Sequence, residues 1–118
     1  FVCSNMFDYK ITNPGTFDKV IATGVIHHLN DEETIKLFEI AKKSLKPNGH
    51  LYTFDGCFIK KQNLVSYLLL KLDRGKYIGN QHEYEKLAQT SFLNIKSIIN
   101  ENLFQIPYTS LIMDCKNL

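Results

Sequence analysis

Apolar residues fall into a few short blocks whose spacing alternates between the period of a strand and that of a helix. Val20-Ile21-Ala22 is apolar on both sides of the chain and runs into a small-residue corner, Thr23-Gly24, then a histidine pair, His27-His28. Such a block fits a parallel strand covered by helices on both faces. From Asn30 to Lys46, Ile35, Phe38, Ala41 and Leu45 recur at helical spacing and predict a buried stripe. Asn30 is a strong N-cap, and Glu33 three residues on completes a capping-box pattern. Asp31, Glu32 and Glu33 crowd the first turn and Lys42, Lys43 and Lys46 the last, both matched to the helix dipole. Pro47-Asn48-Gly49 stops the helix. His50 to Phe54 alternates and predicts a second strand, ending at Asp55-Gly56-Cys57.

Strand, helix, turn and strand form one right-handed parallel βαβ unit. Beyond it, Gln62 to Leu72 predicts a helix with Leu64, Val65, Leu68, Leu69 and Leu72 on one face, most simply a core face. A lid helix gripping an apolar substrate would carry the same stripe, with Tyr67 serving either role. Asn80 caps a further helix over Gln81 to Gln89, with Glu83 in the capping-box position. Leu93 to Ile99 is strand-like, with Leu93, Ile95, Ser97 and Ile99 on one face, and Tyr108 to Cys115 is a final strand. Their short link predicts an antiparallel pair. The fold class is α/β with an open sheet, whose ligands sit beyond the carboxyl ends of the strands. That puts the corner at Thr23-Gly24, the histidine pair and Asp55-Gly56-Cys57 on one rim.

At 118 residues the chain makes one domain, with 44% hydrophobic and 22% charged residues. The formal net charge of +2 and a single arginine, Arg74, argue against a dedicated nucleic-acid surface. Cys3, Cys57 and Cys115 are far apart and show no zinc spacing, so no metal is expected. Adjacent histidines in a turn without a third ligand do not make a metal site either. The odd cysteine count and the lack of a visible secretory or lipidation signal point to a reducing, cytoplasmic setting. No apolar run is long enough to cross a bilayer, and no membrane partner is expected. The sequence opens at Phe1 without a methionine, and Phe1 to Asp8 reads as the end of a buried strand followed by a turn, which predicts a fragment.

The run FDKVIATGVIHHLNDEETIKLFEIAKKSLKPNGHLYTFD, followed by DRGKYIGNQHEYEKLA and IPYTSLIMDC, resembles the second half of a class I S-adenosylmethionine-dependent methyltransferase domain. The resemblance covers nearly the whole chain. It implies a Rossmann-like sheet of order 3-2-1-4-5-7-6 with the last-numbered strand antiparallel. This chain would supply strands 4, 5, 7 and 6 as a half-sheet with flanking helices, residues 1–118 being the C-terminal part of one domain whose N-terminal part is absent.

The implied cofactor is S-adenosylmethionine, the implied partner a small-molecule acceptor, and the implied reaction methyl transfer to an O, N or C atom. Asn5 and Met6 fall where the family reads the adenine, and the Ala22-Thr23-Gly24 backbone where it meets the methionine ammonium. His27 or His28 would face the methyl group or serve as general base. Asp55 and Cys57 would line the acceptor pocket, with Arg74 and Tyr77 over it. The glycine-rich GxGxG loop and the acidic ribose ligand are missing, since no GxG occurs in the sequence. The fragment alone is therefore expected to bind cofactor weakly or not at all and to be inactive. The alternative is a non-catalytic remnant acting as an interaction module through its open sheet edge, where two copies could pair. A dinucleotide-binding dehydrogenase half fits the strand ends less well.

Overall fold

A computed structural model describes residues 14–59, 62–72, 77–101 and 109–117. Strand β1 is Phe17–Thr23, followed by a single 3-10 turn over Ile26–His28 and helix α1, Asp31–Ser44. Strand β2 is Leu45–Gly56, and two short helices follow, α2 at Leu64–Leu72 and α3 at Gln81–Ala88. Strands β3, Asn94–Asn100, and β4, Ser110–Lys116, close the order. Both predicted capping boxes form. The Asn30 side chain accepts from Glu33 N at 2.9 Å while Asn30 N donates to Glu33 Oε1, and Asn80 and Glu83 repeat the exchange.

The four strands lie in the order β1-β2-β4-β3. β1 and β2 are parallel, and β4 runs antiparallel to both β2 and β3. This is the 4-5-7-6 half-sheet, with the last strand in sequence reversed. Parallel pairing sets Thr23 beside Phe54, so the carboxyl ends of β1 and β2 share one rim with the start of β4, where Ser110 pairs Gly56.

One face of the sheet carries the core. Leu51, Leu111, Met113 and Cys115 pack with Leu37, Phe38 and Ala41 of α1 and with Tyr84 and Ala88 of α3. Phe92, just after α3, meets Phe38 edge-on at a centroid distance of 6.3 Å. Each such large side chain contributes about 1.5–3 kcal/mol when fully buried.

The opposite face is more open. β1 has only β2 as a strand neighbour among the described residues, and Ile21 is 72% exposed. Helices on both sides of β1 were the expectation; here the chain's core helices pack on the Val20 and Ala22 side. The predicted apolar face of α2 also differs. Leu64, Val65, Leu68 and Leu72 are exposed, while Ser66 and Leu70 are buried. β2 begins earlier than expected, directly at the end of α1. Pro47-Asn48-Gly49 forms an irregularity inside it, where Asn48 takes a φ of 65°. A Cβ on Gly49 would come within 3.0 Å of Asp18 O and 2.9 Å of Lys46 O, so this position needs glycine.

Candidate functional site

The rim is built where β1 stops. Gly24 turns the chain at a φ of 65° and its N–H donates to Phe54 O at 2.8 Å, binding the corner to β2. Glycine accepts this left-handed geometry without the roughly 1–2 kcal/mol penalty of other residues. The chain then makes its single 3-10 turn and brings His27 back over Gly24, whose Cβ position lies 3.7 Å from His27 Cε1.

His27 is buried, and its Nδ1 lies 2.8 Å from Asp55 Oδ1 at the end of β2. The same oxygen accepts from the His27 backbone N–H at 3.2 Å. Burial pushes the Asp55 carboxyl above its ordinary range, and the hydrogen bonds from His27 offset part of that rise. Asp55 Oδ2 is buried without a hydrogen-bond partner. With Asp55 ionised, His27 Nδ1 must be the donor, which places the imidazole lone pair on Nε2. A carboxylate that fixes the tautomer of a histidine is how a general base is oriented. His28 is exposed, with its ring tilted against that of His27 at 4.3 Å.

The rim is braced from α3. Tyr84 Oη donates to Gly56 O at 2.9 Å and accepts from Gly79 N at 3.1 Å. Tyr77 N donates to His27 O at 2.9 Å, so the segment before α3 is pinned to the histidine turn. Cys57 lies wholly in the core beneath the rim, and its thiol is pushed up to about 11, first by burial and then by Glu83. It is therefore a poor nucleophile at neutral pH.

Of the residues singled out from the sequence, Ala22, Thr23, Gly24, His27, His28, Asp55 and Tyr77 gather at this end of the sheet. Asn5, Met6 and Arg74 lie outside the described residues. Sequence reasoning missed the bracing role of Tyr84, which only its Asn80-capped helix hinted at. It also missed a second histidine–carboxylate pair at the opposite end of the sheet. There His50 Nδ1 is 2.6 Å from Asp114 Oδ1 and the His50 ring stacks on Tyr52. Among the described residues no three metal-ligating side chains cluster.

Comparison with known proteins supports the resemblance. A family model described as a methyltransferase domain matches residues 1–53. No curated protein matches the chain. Among solved structures, the S-adenosylmethionine-dependent methyltransferase SibL in its apo form gives a TM-score of 0.73 at 14% identity, over 99% of this chain and 35% of that one. Human N-acetylserotonin methyltransferase in complex with SAM gives 0.72 at 16% identity, over 98% and 33%. The N-methyltransferase NodS from Bradyrhizobium japonicum WM9 gives 0.66 at 10% identity, over 97% and 57%. The chain thus spans about a third of the length of the first two and somewhat over half of the third. At these identities the likeness speaks for the fold. Family model, fold and strand order agree with the class I S-adenosylmethionine-dependent methyltransferase family.

Proposed function

We propose that this chain is the acceptor-side, C-terminal part of a methyltransferase domain that moves a methyl group from S-adenosylmethionine to an O, N or C atom of a small or medium acceptor. The observation that carries this is the strand order β1-β2-β4-β3 with β4 reversed, which puts the β1 corner and Asp55 on one carboxyl rim. The backbone of Ala22, Thr23 and Gly24 would receive the methionine end of the cofactor, the positive φ of Gly24 letting that backbone come close. Asn5 and Met6 would read its adenine. S-adenosylmethionine supplies an activated methyl on a sulfonium.

The chain's own residues orient, exclude water and manage a proton. His27, held by Asp55, takes the proton from an acceptor O–H or N–H as its lone pair approaches the methyl carbon. Tyr77 would cover the acceptor, the role that the resemblance also gives to Arg74. The setting is cytoplasmic, the chain alone is inactive for want of the glycine-rich loop, and no nucleic acid takes part.

The test is methyl transfer from labelled S-adenosylmethionine by the full-length protein that contains this chain. His27→Gln should lower turnover by about two orders of magnitude or more, the usual worth of a general base. His28→Gln should leave it within a few-fold. Equal turnover in wild type and His27→Gln would sink the assignment, and Asn5→Ala should weaken cofactor binding rather than turnover.

A second reading has its own observation. The outer edge of β1 borders an apolar trough of about 480 Å³, lined by Val20, Ala22, Val25, Leu37 and Ile40 among others. An unpaired strand beside such a trough suits an added strand, from a partner or from a second copy. Concentration-dependent mass in solution scattering, abolished by Ile21→Lys, would favour this interaction module; a monomer at all concentrations would remove the second-copy form of it.

A further inference from the structure

The end of the sheet opposite the rim carries a second cluster of polar side chains, on the face turned away from α1 and α3. Strand alternation puts Leu51, Met113, Cys115 and Ile95 against the core and so turns their neighbours outward. Pairing lines those neighbours up in two rows. The first runs Lys19, His50, Lys116, Asn94 across all four strands, and the second sets Tyr52, Asp114 and Lys96 beside it. His50, Asn94, Lys96, Asp114 and Lys116 line a hollow of about 150 Å³. Its frame is fixed. Asn117 N donates to Gly49 O at 2.8 Å and Asn48 N to Asn117 O at 2.6 Å, which locks the end of β4 to the bend in β2. His50 Nδ1 lies 2.6 Å from Asp114 Oδ1, and the His50 ring stacks on Tyr52 with 7° between the planes.

Charge in this hollow is unbalanced. Directly opposite positions on neighbouring strands hold their side chains about 4.5–5.5 Å apart, and like charges there destabilise a sheet. Lys116 nonetheless stands beside His50, with Lys19 on the other side of the histidine. Asp114 is the one carboxylate lining the hollow, and it is engaged by His50. The ion pairs among the described residues include neither Lys96 nor Lys116. With Asp114 ionised, His50 Nδ1 donates to it, and Nε2 is left on the far side of the ring. A protonated His50 then adds an Nε2–H donor to two ammonium groups and the Asn94 amide.

We propose that this hollow binds a small tetrahedral oxyanion of the phosphate class, free or as the phosphate group of a small molecule. Lys96 and Lys116 supply the charge, Asn94 a neutral donor, and His50 a further donor once protonated. Asp114 and the Tyr52 ring hold the imidazole in place. At about 30 Å³ for a water-sized group, the hollow has room for about five heavy atoms, as many as a phosphate contains. A nucleic-acid strand fits less well. Its backbone needs a basic groove to follow, and the rows next to the hollow carry Ile21, Ile112 and Ile98 on the same face. The inference does not depend on the methyltransferase reading and is tested without cofactor.

The experiment follows amide shifts of the isotopically labelled 118-residue chain titrated with sulfate. Sulfate stays a dianion from about pH 6 to pH 8, and sodium chloride holds the ionic strength constant. Saturable shifts should centre on His50, Asn94, Lys96 and Lys116. The affinity should rise severalfold from about pH 8 to pH 6, where a histidine ordinarily gains its proton. His50→Gln should remove that rise. Lys116→Gln should weaken binding about tenfold, the worth of a charge-assisted hydrogen bond. Lys36→Gln, on the exposed side of α1, should leave it within about twofold. All three variants should keep the wild-type circular dichroism. Inorganic phosphate and glycerol phosphate, titrated at about pH 8, tell the sources apart. Tighter binding of the ester assigns the hollow to a phosphorylated small molecule; equal or weaker binding assigns it to the free ion. Shifts that do not saturate, an affinity unmoved by Lys116→Gln, or no gain on acidification would each overturn the proposal. So would a single-stranded oligonucleotide that moves the same amides at lower concentration than sulfate does, since that would assign the face to nucleic acid.

Discussion

Replacing Ser66 by alanine removes one oxygen from a helix that exposes four apolar side chains, yet the loss should be large. Thr109 is wholly buried, and Ser66 Oγ receives its backbone N–H at 2.8 Å and sits 2.7 Å from its hydroxyl. In Ser66→Ala the Thr109 N–H keeps no partner and its hydroxyl loses one. A stranded buried group costs about 1–3 kcal/mol. Because the hydroxyl can rotate toward another acceptor, the net expectation is about 2 kcal/mol.

In urea, with a slope of about 1–3 kcal/mol per molar for a small domain, the midpoint should fall by about 1 M. Leu68→Ala is the matched control. Half-exposed on the outer side of the same helix, it should change stability by no more than about 0.5 kcal/mol. Hydrogen exchange should show the α2 amides as the ones that open more readily in Ser66→Ala. The reasoning is refuted if Ser66→Ala is neutral while Leu68→Ala costs more than about 1 kcal/mol. That result would mean the leucines hold the helix and the serine does not.

Three further outcomes are expected. Asn30→Ala breaks both bonds of the α1 capping box and should cost about 1 kcal/mol in the same urea assay; no change would discount the cap. Cys57 and Cys115, whose thiols burial pushes up to about 11 and about 12, should resist a thiol reagent at pH 8 until the chain unfolds. Labelling of either in the folded chain by peptide mass mapping would contradict their placement. The carboxyl of Asp55 is raised above 3.8, so the folded state holds its proton to higher pH than the unfolded state does. Its contribution is fully present below pH 3.8 and is lost as pH rises through the folded value. Stability of wild type measured against Asp55→Asn should therefore decline with rising pH from about 3.8 upward; a rising difference would reverse the sign assigned to burial.

The features legible in the sequence were local ones. Asn30 with Glu33, and Asn80 with Glu83, are contacts over three residues, and each formed as read. The alternation in His50 to Phe54 likewise survived into β2. The strand order was readable only through the resemblance, because pairing of β2 with β4 joins residues far apart and leaves no mark in local spacing. The face of α2 was misjudged for the same reason. A leucine stripe says which residues share a side, while the partner that decides which side is buried, Thr109, stands 43 positions from Ser66. The two histidines were indistinguishable in sequence. Only Asp55, 28 residues on, separates the oriented His27 from the exposed His28. Cys57 was expected to line a pocket, and it lies instead in the core, where its backbone N–H donates to Thr109 O at the start of β4.

The account's central claim is that the β1 corner faces S-adenosylmethionine. Amide shifts of the isotopically labelled chain titrated with S-adenosylhomocysteine address it directly, since they register weak binding and locate it. The account predicts weak binding, in the millimolar range for a site without its glycine loop, with the moving amides confined to Ala22, Thr23, Gly24, the His27 turn and the end of β2. Shifts centred instead on the His50–Asp114 end of the sheet, with Ala22 to Gly24 unmoved, would contradict it.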